Sequence, residues 1–276
     1  MINFIQKHIK RWSEMKIGIS WDAYGDGELN INEQIALMKK YGFEATFAMS
    51  DNPELDAIVE AARGEGITHD TCHAPFRGIN RIWSDNSDGD DALLMLKNSV
   101  DACARNNIPV DVVHLSSGDN APRISDAGYR HFRELVDYAD CNGVQIAFEN
   151  QRKLANIAFA FEEFPTAGFC WDVGHEACFA YGREYMPLFG SKLVALHIHD
   201  NFAVHEGDRH MIPFDAGLDF DKAARYIAES GFEGTVMLEL MRHTSGEYED
   251  YTPDEYFGKA AAAADRIRSM IEKKRQ

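Results

Sequence analysis

The chain predicts a (β/α)8 barrel, a parallel eight-stranded barrel with outer helices, and three observations carry that expectation. Short β-like runs alternate with longer helix-like runs from Met15 to the C-terminus, the order that builds a parallel sheet from strand–helix units. Eight such units fit into about 250 residues, the usual size of this barrel. Ionisable residues gather where the strand candidates end, the face on which such barrels place their sites. An open, doubly wound sheet is the alternative. It lacks a Gly-rich phosphate fingerprint after the first strand, because Gly25 and Gly27 do not fit GxGxxG and suit a turn.

The elements follow in order. Met15–Ser20 is the first strand candidate, and Ile31–Lys40 has helical spacing of Ile31, Ile35, Leu37 and Met38. Glu44–Met49 is the second strand, and Pro53–Arg63 a helix with proline in its first turn. Ile67–Cys72 is the third strand, leading into His73-Ala-Pro-Phe76, a polar loop and a helix over Asp91–Asn106. Val110–Leu115 is the fourth, followed by a helix over Ser125–Cys141 with Ser125 as N-cap. Val144–Phe148 and Gly168–Trp171 are the fifth and sixth, with helices over Lys153–Glu163 and His175–Phe189; Gly182 and Pro187 are positions to break the latter. Lys192–Ile198 is the seventh strand, Asp219–Ser230 a helix, and Thr235–Leu240 the eighth strand. Arg242–Asp250 reads as a surface loop over the mouth, and Asp254–Glu272 as the closing helix. No linker or composition break divides residues 15–276, so they are expected to form one barrel domain. Residues 1–14 are expected to be an N-terminal extension of helical spacing, with Ile2, Phe4, Ile5, Ile9 and Trp12 interleaved with Lys7, Lys10 and Arg11.

Composition bounds the function. Apolar residues make up 45% of the 276, ample for a buried core. No run approaches the roughly 18 apolar residues of a bilayer span, and the N-terminus lacks the continuous apolar core of a signal peptide. The five cysteines form no CxxC pair. Free thiols and hence a reducing, cytoplasmic compartment are expected, with Cys170 and Cys178 packed rather than ligating. The formal net charge is −17, and the densest basic run, Lys273–Arg275, holds only three residues. A chain that tracks a phosphate backbone would need a basic face, so nucleic acid is not the expected partner.

The chemistry concentrates at the strand ends. His73 closes the third strand, His114 the fourth, Glu149 the fifth, Asp172 and His175 the sixth. His197, His199 and Asp200 close the seventh, Asp208 and His210 follow in its loop, and Glu239 closes the eighth. Alternation along the strands sends Ile146, Phe148, Phe169, Trp171, Val236 and Leu238 outward, and Glu149, Asp172 and Glu239 inward. Three inward carboxylates with no Lys or Arg on their strand ends repel one another, and a divalent cation resolves this. Mixed histidine and carboxylate ligands suit Zn, Mn, Fe or Co. Glu149, Asp172, His197 and Glu239 are the compact ligand set, although His199 shares the inner face with His197 and spacing does not choose between them. Arg152, Arg183 and Arg242 are candidates to hold a substrate phosphate or carboxylate. Trp21 and Phe76 lie near strand ends where they could stack on a sugar ring, but core packing is the preferred expectation for both, and His69 is expected as a satisfied core histidine.

Jointly, His73-Ala-Pro-Phe76, His114, Ile146-Ala-Phe-Glu-Asn150, Trp171-Asp-Val-Gly-His175, Leu196-His-Ile-His-Asp-Asn201, Asp208-Arg-His210 and Glu239 resemble the xylose-isomerase-like barrel superfamily. This superfamily holds sugar-phosphate isomerases and epimerases and the endonuclease IV group, and the resemblance spans the chain from Met15. It implies a single-metal site of Glu149, Asp172, His197 and Glu239, with His197 preferred over His199. It implies that Glu149 and Glu239 carry protons in isomerisation or epimerisation of a sugar, sugar phosphate or related polyol through an enediolate. His175, His199 and Arg242 are then the substrate-contact candidates. The endonuclease-like pattern adds His73, His114, His175, Asp208 and His210 as ligands and implies an alternative, a phosphodiesterase with several metals. A keto-acid dehydratase on the single-metal site is another. The run after the AspArgHis triplet, Met211-Ile-Pro-Phe-Asp-Ala-Gly-Leu-Asp-Phe220, looks like the isomerase ending. The resemblance also admits a homo-oligomer, for which the sequence offers no apolar surface stripe.

Overall fold

The computed structural model describes residues 15–25, 27–205 and 207–276. The expected helical extension over residues 1–14 lies outside the described residues.

The strands are all parallel and form two arcs. One arc runs in the order β3 (Thr68–His69), β2 (Ala45–Phe47), β1 (Ile17–Ser20), β9 (Val236–Leu238). The other runs β4 (Cys72–His73), β5 (Val110–His114), β6 (Gln145–Glu149), β7 (Gly168–Asp172), β8 (Leu193–His197). Single parallel bridges, Met49 to His73 and Ile198 to Leu238, join the arcs at both ends and close the barrel. The expected third strand is present in two pieces, β3 and β4. Between them Asp70 leaves the ladder, and its carboxylate accepts from Lys16, Thr68 and Thr235 at the barrel base.

The helices follow the expected order, with three differences. Helix α3 (Ser87–Asn106) begins earlier than the apolar pattern indicates, because the Asn86 side chain accepts from the N–H groups of Asp88 and Gly89 and caps it. The helix expected over His175–Phe189 is two pieces, α6 (Val173–Phe179) and α7 (Met186–Phe189). The break falls where Tyr181 and Gly182 take φ of 53° and 79°, left-handed values that end a helix. Arg242–Asp250 is not simply a surface loop. It starts with a short helix, α9 (Arg242–Ser245), and buries both Arg242 and Tyr248. The outer ring is completed by α1 (Ile31–Lys40), α2 (Leu55–Gly64), α4 (Asp126–Cys141), α5 (Leu154–Glu163), α8 (Phe220–Ser230) and α10 (Pro253–Arg275).

Strand alternation divides the core as the sequence indicates. Ile146, Phe148, Phe169, Trp171, Val236 and Leu238 belong to the large layer between barrel and helices. Inside the barrel sit smaller side chains, Val112, Ala147, Cys170 and Ala195 on one arc and Ala45, Phe47 and Met237 on the other. Those inner layers are the floor on which the polar strand ends stand. None of the cysteines is disulfide-bonded. Among the described residues no helix is long and apolar enough to cross a membrane.

Candidate active site

Glu149, the last residue of β6, is the centre of the cluster. Its Oε2 lies 2.7 Å from His114 Nε2 and 3.2 Å from His73 Nε2. Its Oε1 lies 3.1 Å from His175 Nδ1 and 3.3 Å from His197 Nδ1. Burial alone would raise the pKa of this carboxyl, but the imidazoles of His114, His197 and His175 outweigh it and hold Glu149 well below the usual carboxylate range. Burial also drives His114 down, to about 4, against the pull of Glu149. Glu149 is therefore ionised beside a neutral His114.

Glu239, just past β9, approaches the same nitrogen of His197 as Glu149, with its Oε2 at 3.5 Å from Nδ1. Burial, reinforced by the charges of Glu149 and Asp172, raises Glu239 well above the ordinary carboxyl value, the opposite direction to Glu149. Asp172 ends β7 and also caps α6, one carboxylate oxygen accepting the His175 N–H at 2.6 Å. Its other oxygen and Glu239 Oε2 are buried without a hydrogen-bond partner among the described residues. Ligand atoms of Glu149, Asp172, His197 and Glu239 all lie within 4.8 Å of one another. Three converging carboxylates, one imidazole and orphaned oxygens fit a divalent cation, which would satisfy those oxygens and let Glu239 ionise.

Beside this group lies a second, formed by His175, His199, Asp208 and His210, whose ligand atoms also fall within 4.8 Å of one another. Asp208 Oδ2 is 3.3 Å from His175 Nε2 and 3.4 Å from His210 Nε2. Burial opposes ionisation of Asp208, but bonds from His175 and His210 override it and hold its pKa far below normal. His199 links the two groups, with Nε2 at 3.2 Å from Asp172 Oδ1 and 3.5 Å from Asp208 Oδ1, and its ring stacks on His210 at 4.0 Å. It occupies the space over Gly174, where an added Cβ would lie 1.9 Å from its Cε1.

Asp200 fixes the loop that carries Asp208 and His210. Its Oδ1 accepts the N–H groups of Asn201, Gly217 and Leu218 at 2.9, 3.1 and 3.0 Å. Its Oδ2 accepts those of Phe214 and Ala216 at 3.0 and 2.9 Å. His210 itself is held at φ 45°, a conformation uncommon outside glycine, by a 3.1 Å bond from Nδ1 to the Glu239 carbonyl.

A cavity of about 230 Å³ opens above these groups, lined in part by His73, His114, His175, Asp208, His210 and Glu239. At roughly 30 Å³ per water it has the room of a monosaccharide. Six of the expected ligand candidates stand on the cavity wall and Glu149, Asp172 and His197 lie buried beneath it, but two expected substrate contacts do not reach the cavity. His199 is fully buried and absent from its wall, because His210 and Gly174 enclose it. Arg242 points away: its Nη2 donates to both Glu28 oxygens at 2.7 and 2.8 Å, and its guanidinium lies 4.0 Å over the Tyr24 ring. Arg183 lines a separate groove outside the barrel with Trp171 and Tyr226.

Two cavity residues, Gln151 and Phe179, were not singled out by the sequence, and a third, Phe76, was assigned to the core in preference to the cavity. Gln151 bridges His114 Nε2 and His175 Nδ1 at 3.2 and 3.0 Å. Continuing the alternation that turns Glu149 inward by one more step would have found it. Phe76, expected in the core, is 41% exposed and stacks on His114 at 4.9 Å. Phe179 lies under the Arg152 guanidinium at 3.8 Å, a contact no local signal announces. Trp21 is in the core as expected; His69 is buried too, but both of its ring nitrogens lack a partner among the described residues.

Comparison with known proteins agrees with this architecture. The D-psicose 3-epimerase of Clostridium cellulolyticum H10, solved with D-tagatose, is 17% identical with a TM-score of 0.73, covering 93% of this chain and 99% of that one. The 3-keto-D-glucoside 4-epimerase of E. coli is 16% identical with a TM-score of 0.70, covering 92% and 99%. A putative xylose isomerase of Rhodospirillum rubrum is 15% identical with a TM-score of 0.74, covering 92% and 99%. At these identities the likeness speaks for the fold. By sequence, the uncharacterized protein y4fM of Sinorhizobium fredii is 28% identical over 195 residues, 64% of this chain, and the match spans 60% of that relative's length. The model of the xylose isomerase-like TIM barrel family matches residues 23–270, and the chain belongs to that family.

Proposed function

We propose that this protein is a divalent-metal-dependent isomerase or epimerase of a sugar or related polyol, working through an enediolate. The observation that supports it most is the convergence of Glu149, Asp172, His197 and Glu239 within 4.8 Å, with both glutamates near His197 Nδ1, at 3.3 and 3.5 Å. The similar solved structures described as sugar epimerases point the same way. A divalent cation held by Glu149, Asp172, His197 and Glu239 would supply Lewis acidity to a carbonyl and its neighbouring hydroxyl. The chain's own groups do the rest. One glutamate removes the proton from the carbon next to the carbonyl, and the other returns a proton from the opposite side. His175, anchored by Asp172 and Asp208, stands on the cavity wall where a substrate oxygen would lie. Gln151 holds His114 and His175 in register.

The test is exchange of solvent deuterium into a panel of ketoses by the metal-reconstituted protein. Glu149→Gln and Glu239→Gln should each abolish exchange, whereas His175→Asn should chiefly raise KM. Retained exchange in either glutamine variant would remove that residue from its proton-carrying role. The group His175, His199, Asp208 and His210 favours a second reading, a phosphodiesterase with several metals. Metal analysis separates the two: about one ion per chain supports the isomerase and about three the phosphodiesterase. The net charge of −17 weighs for the first.

A further inference from the structure

The cavity is rich in acids and imidazoles, and the places where a barrel could hold an anion are closed from within. Arg152 is the one permanent cation among the described residues that line it. Its Nε donates to Asp119 Oδ1 at 2.8 Å while its guanidinium lies flat on Phe179, so its charge is already matched. Asp119 also faces His205 Nε2 at 3.3 Å.

Barrels of this type commonly bind phosphate on the loops after the last two strands and on the helix start beyond them. Here the backbone amides of Phe214, Ala216, Gly217 and Leu218 are consumed by the Asp200 carboxylate. The following helix, α8, is capped by another acid, Asp219, whose side chain accepts the Lys222 N–H at 3.0 Å. After β9, the remaining candidate, Arg242, is committed to Glu28. Away from a bound cation, a substrate phosphate or carboxylate would thus meet Asp208 and Glu239 on the cavity wall, where the imidazoles of His175 and His210 already engage Asp208. The wall that remains suits a neutral sugar: Phe76 offers an apolar face to ring C–H groups, and Gln151 and Ser117 offer polar groups to hydroxyls.

We infer that the substrate is an uncharged, monosaccharide-sized sugar or polyol, and that the Asp119–Arg152 pair excludes phosphorylated and carboxylated counterparts. This rests on the sugar isomerase reading. Free ketohexoses and ketopentoses and their terminal phosphates would be compared by solvent deuterium exchange, at matched concentration and with saturating divalent metal. Free sugars should exchange with kcat/KM at least about tenfold above the phosphates, the scale at which a mismatched group is rejected. Asp119→Asn, which leaves the Arg152 charge unmatched, should narrow that ratio, and the double variant with Arg152→Gln should restore it. Equal or faster exchange of the phosphates would overturn the inference and leave the isomerase reading standing. A ratio unmoved by Asp119→Asn would remove the pair from the discrimination. Exchange with neither class would overturn both the inference and the reading beneath it.

Discussion

Replacing Asp200 should unfasten the loop that brings Asp208 and His210 to the site. Asp200 is completely buried, and five backbone N–H groups between Asn201 and Leu218 end on its two oxygens at 2.9–3.1 Å. Hydrogen bonds to a charged group contribute about 1.5–3 kcal/mol each when measured singly. They are not additive, and water entering a vacated niche would recover part of the loss. A total cost of about 3–5 kcal/mol for Asp200→Ala is the consistent figure, in the range found when a buried charge loses its partners. For a chain of this length that lowers Tm by about 10 °C. Asp200→Asn keeps one oxygen but turns an amide N–H₂ toward backbone donors, so it should cost about half as much. Calorimetry on both variants gives the ordering, and hydrogen exchange at Phe214, Ala216, Gly217 and Leu218 locates it. Variants within about 1 °C of the parent, or faster exchange spread over the whole barrel, would refute the reasoning.

Other outcomes can be checked with similar means. A cation bound only by the folded chain stabilises it by mass action, about 2.7 kcal/mol at a hundredfold excess over Kd, so removal with a chelator should lower Tm and readdition should restore it. Asp111 is buried with both oxygens unpartnered among the described residues, and burial raises its pKa from 3.8 to about 7. The folded chain then holds a proton that the unfolded chain releases near 3.8, so this stability is present at low pH and lost as pH rises to about 7. Asp111→Asn should therefore be more stable than the parent at pH 8, by up to about 4 kcal/mol, with the gap closing toward pH 4. A gap independent of pH in denaturant titrations would assign the effect elsewhere. Phe76→Ala removes the apolar wall over His114 and should raise KM for a turned-over sugar about three- to tenfold with kcat little changed, the signature of lost uniform binding.

The barrel was legible because period-two alternation and period-3.6 helices recur in strict order, and because inward positions such as Ala147, Cys170 and Ala195 are small where outward ones are large. The convergence of Glu149, Asp172, His197 and Glu239 followed from the same geometry, since strand ends of a closed barrel meet at one mouth. What stayed hidden depends on where long side chains turn after leaving their strand. Arg242 lies just four residues past the end of β9, yet Glu28 and Tyr24, far upstream, pull it off the mouth. His199 shares the inward phase of His197, but the missing side chain at Gly174 lets it sink beneath the cavity wall. The locking of Arg152 by Asp119 likewise depends on a loop after β5 that carries no motif.

The contact between Gly174 and His199 makes two positions behave as one inheritable unit. A methyl group at 174 would lie inside the imidazole ring at 199, so neither residue can be redesigned alone without disturbing Asp172 and Asp208 on either side of that ring. A larger side chain at 174 becomes admissible only with a smaller one at 199, and that exchange would detach the two acidic groups from each other. Libraries that vary the mouth of this barrel should carry the two codons as a pair.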